Sequence, residues 1–99
     1  MERKHCVLFY SQFSPASKQI VEHIQSLSYD LPRVTGMTLL CVDASKIRDA
    51  VQKQGIDVVP CLFIQYFDGK TQLLTDKLIH DWIDEVLLKT LLETVWGLV

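Results

Sequence analysis

The residues of this 99-residue chain most capable of covalent chemistry are Cys6, Cys41, Cys61 and a serine, Ser14. Each cysteine lies inside an apolar run, and free cysteine is among the residue types most often buried. An odd number of cysteines is also atypical of a secreted disulfide scaffold. We therefore expect three reduced, packed thiols and a reducing, cytoplasm-like compartment.

Ser14 is followed by Pro15 and then by apolar residues at helical spacing, which predicts a helix N-cap. A helix N-terminus lowers the pKa of a thiol enough to produce thiolate at neutral pH, but the same stabilisation leaves an aliphatic hydroxyl protonated. A serine nucleophile needs an adjacent base, and none of the three histidines lies near Ser14 in the sequence. We therefore expect Ser14 to cap the helix, which stabilises it by about 1 kcal/mol.

Other kinds of site have no support in the sequence. Histidine and cysteine do not recur at metal-ligand spacing, and no glycine-rich phosphate loop occurs, so we expect no metal and no cofactor. With 10 Lys+Arg against 12 Asp+Glu the net charge is -2, which lacks the basic excess typical of non-specific nucleic-acid binding. No segment approaches the ~20 apolar residues of a membrane span.

The first half of the chain predicts two strands that flank a helix. The strands are the apolar runs Cys6–Tyr10 and Thr38–Val42, and the helix follows Ser14 for about four turns. Residues Tyr29–Gly36 contain aspartate, proline and glycine and are interpreted as a loop.

The second half predicts a helix, a hairpin and a long final helix. Asp43 or Ser45 caps the short helix and Gly55 ends it. The remaining elements are a strand over Val58–Phe67, a two-residue Asp68-Gly69 turn, a strand over Thr71–Leu74 and a helix over Asp76–Trp96 that Thr75 or Asp76 caps. The order β-α-β-α-β-β-α predicts one α/β domain over residues 1–99, with a four-stranded mixed sheet covered by three helices.

Two motifs carry a resemblance to a known family. Residues Val7–Ser17 (VLFYSQFSPAS) resemble the F-Y-S-x-x-C-P-x-[CS] turn of the thioredoxin-like superfamily in its minimal, glutaredoxin-like form. Residues Gly55–Pro60 (GIDVVP) are similar to the G-I-x-x-[VI]-P segment of the same proteins. The resemblance covers almost the whole chain and implies a thioredoxin-like fold in which Pro60 is cis.

The chain departs from that family at both active-site cysteines. Ser14 stands at the nucleophilic position and Ser17 at the resolving position, so the family's disulfide-reductase activity is not expected here. Cys61 follows Pro60 and is the one thiol expected near the old active site. We expect Cys6 opposite the far end of the Cys61 strand, near Phe67, and Cys41 across the other edge of the central strand. Both are then too far from Cys61 for a disulfide.

An enzyme or ligand-binding alternative stays open: a thiol-disulfide oxidoreductase or glutathione-binding protein that uses Cys61 or the groove at Ser14. The resemblance implies that the backbone edge at Val59-Pro60 pairs with the main chain of glutathione. Asp76 lies near the acidic position that contacts the ligand's amino group in glutaredoxin-like proteins. The glycine that flanks that position is absent, and we interpret Asp76 as a helix cap.

The final helix is longer than the sheet requires. Twenty-one residues extend about 31 Å, and only the first turns are needed to cover four strands. The later apolar residues either fold back on the domain or bind a protein partner or a second copy. The residues predicted for partner contact are Leu88, Leu91, Leu92, Val95 and Trp96.

The sequence therefore favours a redox-inactive structural or interaction protein. Short thioredoxin-fold proteins with a similar turn occur in large cytoplasmic DNA viruses, and this resemblance implies a minor structural component of a virion. We expect a second contact surface at the degenerate groove, formed by Phe13, Ser14, Pro15, Val59 and Pro60.

Overall fold

The computed structural model describes residues 3–27 and 30–97, with side chains up to residue 93. The elements in chain order are β1 Arg3–Tyr10, α1 Pro15–Ser26, α2 Leu31–Thr35, β2 Thr38–Cys41, α3 Ser45–Lys53, β3 Cys61–Tyr66, β4 Thr71–Thr75 and α4 Lys77–Gly97.

The four strands form one mixed sheet in the order β2-β1-β3-β4. Strand β1 is parallel to β2 and antiparallel to β3, and β4 is antiparallel to β3. The predicted α/β class and the predicted mixed sheet are both confirmed. Helices α1 and α2 connect the parallel strands β1 and β2, and a tight turn connects the antiparallel strands β3 and β4, as the two kinds of connection require.

The hydrophobic core lies between the sheet and helices α1 and α4. Leu8, Leu62 and Ile64 from the two central strands are fully buried. Ile20 of α1 and Ile83 of α4 are also fully buried and belong to the same cluster. On the opposite face, a cavity of about 410 Å³ separates α3 from the sheet and is lined by Phe9, Ala50, Val51, Gln54, Ile56, Phe63 and Leu73.

The segment interpreted as a loop contains a helix, so the described residues form four helices and not the predicted three. The Asp30 carboxylate accepts a hydrogen bond from the backbone N–H of Arg33 at 3.3 Å, which caps α2. Pro32 occupies the first turn, and Gly36 adopts the left-handed conformation that ends the helix. The aspartate, proline and glycine that suggested a loop are the start and stop signals of this five-residue helix.

Two further local predictions were wrong. Neither Asp43 nor Ser45 caps α3: Ala44 is the N-cap residue and makes no side-chain hydrogen bond, while Asp43 binds the β1–α1 turn. The hairpin turn has three residues and not two, because the Tyr66 N–H donates to the Lys70 carbonyl. Only Gly69 in this turn has a positive φ, 89°, which fits a type I turn followed by a left-handed glycine.

Helix α4 has the predicted length of 21 residues. Its first half packs on the core through Ile79, Trp82 and Ile83. Asp76, the expected cap, has a φ of 45°, and its backbone carbonyl accepts the Ile79 N–H at 3.0 Å. Among the described residues, the carboxylate of Asp76 accepts no hydrogen bond from a backbone N–H of the first turn. Within the same part of the chain, no helix combines the length and apolarity that a membrane span requires.

Candidate functional site

The turn between β1 and α1 places Ser14 at the N-cap of α1. The Ser14 hydroxyl accepts a hydrogen bond from the backbone N–H of Ser17 at 3.2 Å, and Pro15 occupies the first turn of the helix. The Ser14 carbonyl accepts the N–H of Lys18 at 3.0 Å, the first bond of the helical ladder. The hydroxyl at the nucleophilic position of the family motif therefore satisfies a helix N-terminal donor.

Ser17, at the resolving position, also binds the backbone. Its side chain is fully buried, and its oxygen accepts a hydrogen bond from the backbone N–H of Ser11 at 3.2 Å. The two hydroxyls thus accept one N–H of the first turn of α1, that of Ser17, and one N–H of the segment that connects β1 to α1, that of Ser11. No imidazole or carboxylate is hydrogen bonded to the Ser14 hydroxyl in the described part of the chain, so a base that could activate it is lacking there.

Asp43 fixes this turn from the neighbouring strand, a role that the sequence analysis missed. Its carboxylate accepts hydrogen bonds from the Ser11 hydroxyl at 2.5 Å, the Gln12 N–H at 2.9 Å and the Cys41 thiol at 3.1 Å. These bonds, led by that of Ser11 and helped by Arg48 nearby, hold the pKa of Asp43 below its ordinary value. A signal was available, because Ser11 and Asp43 follow parallel strands whose carboxyl ends meet at one edge of the sheet.

The cysteines lie apart from one another and are reduced. Cys41 pairs with Tyr10 and Cys61 with Phe9, so these two thiols flank β1 at two interstrand spacings, about 10 Å. Cys6 lies opposite Ile64 and not near Phe67 as expected, since β3 begins only at Cys61. All three are free cysteines, and Cys6 and Cys61 are buried.

Burial also sets the reactivity of these thiols. It raises the pKa of the Cys6 thiol from an ordinary value of 9.0 to about 11, with a smaller opposing contribution from Arg3. Burial likewise raises the pKa of Cys61, which directly follows the cis Val59–Pro60 peptide bond. Both thiols are therefore protonated at neutral pH, the form that is neither a nucleophile nor a metal ligand.

A cavity of about 300 Å³ lies where the β1–α1 turn meets the loop before Pro60. Phe13 and Val59, two residues of the expected groove, both line it, whereas Ser14, Pro15 and Pro60 do not. The other lining residues are Ser11, Val42, Asp43, Arg48, Val51, Gln52, Ile56 and Asp57. The phenyl ring of Phe13 is 84% exposed at the rim of this cavity.

The predicted partner-contact residues lie on the second half of α4, far along the helix from its core residues. Leu88, Leu91 and Leu92 are 59%, 47% and 48% exposed, so the domain does not cover them. Their spacing places them on one face of the helix, and we call them the α4 leucine surface. The side chains of the other two predicted residues, Val95 and Trp96, lie outside the described residues. In the described part of the chain no three side chains are grouped so that they could hold a metal ion.

Comparison with known proteins identifies the fold. The chain superposes on the solution structure of a thioredoxin from Thermus thermophilus with a TM-score of 0.56. The similarity covers 89% of this chain and 73% of the thioredoxin, at 14% sequence identity. No protein-family model matches the chain, and the search of curated proteins found no match. The chain therefore has a thioredoxin-like fold, as the resemblance of its two motifs implied.

Proposed function

We propose that this chain is a thioredoxin-fold interaction protein without thiol-disulfide activity, which binds a protein partner or a second copy through the α4 leucine surface. The observation that carries the first half of the proposal is the use of the two serine hydroxyls. Ser14 and Ser17, at the positions of the family's cysteines, each accept a hydrogen bond from a backbone N–H. The cysteine that follows the second motif, Cys61, is buried and its pKa is raised.

The second half of the proposal rests on the apolar second half of α4. Three leucines about half exposed on one helix face form an unpartnered apolar surface, which in a soluble domain is typical of an interaction site. The described structure is also extended, at 50 × 32 × 20 Å, with a radius of gyration of 14.3 Å against about 13 Å for a compact domain of 100 residues. A helix that leaves the domain in this way is suited to a groove on a partner.

The proposed partner belongs to a large assembly in a reducing compartment. Three free cysteines fit that compartment, and a helix with exposed leucines fits a structural component that is held by contacts with neighbouring proteins. A virion of a large DNA virus is the concrete assembly that we propose, on the resemblance of the β1–α1 turn.

Introduction of negative charge tests the α4 leucine surface. The Leu91→Asp/Leu92→Asp variant places two carboxylates on the α4 leucine surface, so that this face of the helix is no longer apolar. Leu78→Asp is the matched control, because Leu78 is a leucine of the same helix with similar exposure, 54%, near the other end. Circular dichroism checks that all variants fold. We expect wild-type protein and the Leu78→Asp control to co-purify with the same partner, or with a differently tagged second copy, and the double variant to lose it.

A disulfide-reduction assay tests the redox half. With dithiothreitol or glutathione as reductant, insulin disulfides should be reduced at the uncatalysed rate in the presence of either wild-type protein or Cys61→Ser. Turnover in the wild type that disappears in Cys61→Ser would instead establish the oxidoreductase alternative. Calorimetric binding of glutathione that Val59→Asp abolishes would establish the ligand-binding alternative at the groove.

A further inference from the structure

Two histidines from different helices meet at the contact between α1 and α4. The Nδ1 atom of His23, on α1, lies 2.7 Å from the Nδ1 atom of His80, on α4. The other ring nitrogen of His23, Nε2, lies 3.0 Å from a carboxylate oxygen of Asp84, one turn after His80. The His23 side chain is 21% exposed, so the contact is partly shielded from solvent.

The two imidazole rings meet edge to edge and not face to face. Their planes differ by only 17°, and their centroids are 5.0 Å apart. That separation equals the distance between the two Nδ1 atoms plus one ring radius on each side. Both nitrogens therefore lie on the line between the rings, and their in-plane orbitals face each other, which is the geometry of an N–H···N hydrogen bond.

The proton count of the pair decides whether this contact exists. A hydrogen bond between two Nδ1 atoms needs one proton between them, and the Asp84 carboxylate fixes a proton on Nε2 of His23. When both rings are neutral, His80 therefore donates from Nδ1 to His23. One added proton leaves the bond in place and gives the pair a positive charge next to the Asp84 carboxylate. A second added proton places a hydrogen on each Nδ1, and the contact cannot form.

We propose that His23, His80 and Asp84 form a pH-sensitive clasp between α1 and α4, which stays closed while the two rings share one Nδ1 proton and opens when both rings become cationic. The charged group in contact with the pair in the described residues is Asp84. One turn before His80 stand Lys77, the first residue of α4, and Asp76, which precedes the helix. The positions one turn from His23 are uncharged: Gln19, Ile20 and Ser26 of α1 and its C-cap residue Leu27.

The direction of the pH effect follows from linkage. The unfolded chain accepts a proton on each histidine independently, whereas the closed clasp accepts only one added proton. At acidic pH the unfolded state therefore binds more protons, and the stability of the folded state falls as the pH falls. Ile79 and Ile83 of the same helix belong to the buried core and make no part of the clasp, so we expect them to stay packed when it opens. Opening should thus loosen the contact of α4 with α1 without releasing the helix.

Nitrogen NMR of the full chain tests the clasp directly. With ¹⁵N-labelled histidine we expect a scalar coupling between the two Nδ1 nuclei near pH 7.5, its loss on acidification, and its return on back-titration. In the same pH interval, amide hydrogen exchange in the first half of α4 should become at least severalfold faster.

A variant that cannot take up a proton at position 80 gives a second test, which does not depend on detecting the coupling between the two Nδ1 nuclei. His80→Asn retains a polar atom near the position of Nδ1 but cannot take up a proton, so the pH dependence of exchange in α4 should disappear. The control His5→Asn removes an exposed histidine on β1 and should behave as the wild type. Absence of the coupling at every pH, or equal pH dependence in wild type and His80→Asn, would overturn the clasp.

Discussion

Replacement of Ser14 by cysteine restores a sulfur atom at the nucleophilic position and leaves its surroundings unchanged. The introduced thiol would sit at the N-cap of a 12-residue helix, within hydrogen-bond reach of the Ser17 N–H, which lies 3.2 Å from the present hydroxyl. Both features favour the thiolate over the thiol. The variant therefore tests whether the β1–α1 turn stabilises a thiolate at position 14.

The magnitude follows from the two interactions. A helix N-terminus stabilises a negative charge by about 0.3–1 kcal/mol, and a hydrogen bond to a charged group contributes about 1.5–3 kcal/mol. Residue 14 is partly exposed, and solvent screening reduces both contributions. Since one pKa unit corresponds to about 1.4 kcal/mol, we expect the pH midpoint of alkylation to lie about one to two pH units below that of an ordinary thiol. The rate at pH 7 should rise only about threefold, because the nucleophilicity of a thiolate falls with its basicity.

Ser26→Cys is the matched control, because Ser26 is an exposed residue at the other end of the same helix, where the dipole disfavours a thiolate. The assay is iodoacetamide alkylation across the pH range, resolved by peptide mass spectrometry so that the native cysteines are counted separately. Equal pH midpoints for Ser14→Cys and Ser26→Cys would refute the reasoning, because the turn would then lack the field that we assign to it.

Three further predictions concern stability. Because burial raises the pKa of Cys6 to about 11, its stabilising contribution is complete below pH 9.0 and is lost as the pH rises towards 11. Between pH 8 and pH 10.5, the free energy of unfolding measured with urea should therefore fall by about 2 kcal/mol more in the wild type than in Cys6→Ala. An equal fall in the two proteins would contradict this prediction. Ser17→Ala removes the acceptor of the Ser11 N–H and should lower the free energy of unfolding by about 1–3 kcal/mol. Each kcal/mol corresponds to a melting temperature lower by about 4–8 °C. An unchanged melting temperature would show that the buried hydroxyl contributes nothing to stability. Ile83→Ala creates a cavity in the core and should lower the free energy of unfolding by about 2–5 kcal/mol. The control Leu78→Ala, at an exposed position, should lower it by less than about 0.5 kcal/mol. Similar decreases in the two variants would place Ile83 outside the core.

The parts of the fold that local patterns encode could be predicted from the sequence. Ser14-Pro15 marks the start of α1, because a serine cap and a proline in the first turn satisfy the same N-terminal requirement. The length of α4 was also predictable, since no proline or glycine interrupts the apolar pattern before Gly97. Helix α2 was missed because five residues form little more than one turn, and its start and stop signals stand too close together to be distinguished from those of a loop.

The parts that depend on distant residues could not be predicted in the same way. Asp43 is a suitable local cap for α3, but its carboxylate binds Ser11, 32 residues away, because parallel strands bring the two side chains to one edge. The contact between His23 and His80 depends on the rotation of α1 against α4, which neither helix encodes alone. The candidate site was therefore located from its serines and its proline, whereas the role of Asp43 could be inferred only by considering which strands pair.

The most direct test of the proposed interaction function is the sedimentation of the native protein in an extract of its source at physiological salt. The proposal predicts that the 11.4 kDa chain travels with a much larger particle, and that Leu91→Asp/Leu92→Asp shifts it to the free species while Leu78→Asp does not. A wild-type chain that sediments as a free 11.4 kDa species would contradict the proposal and would direct attention to ligand binding at the groove between Phe13 and Val59.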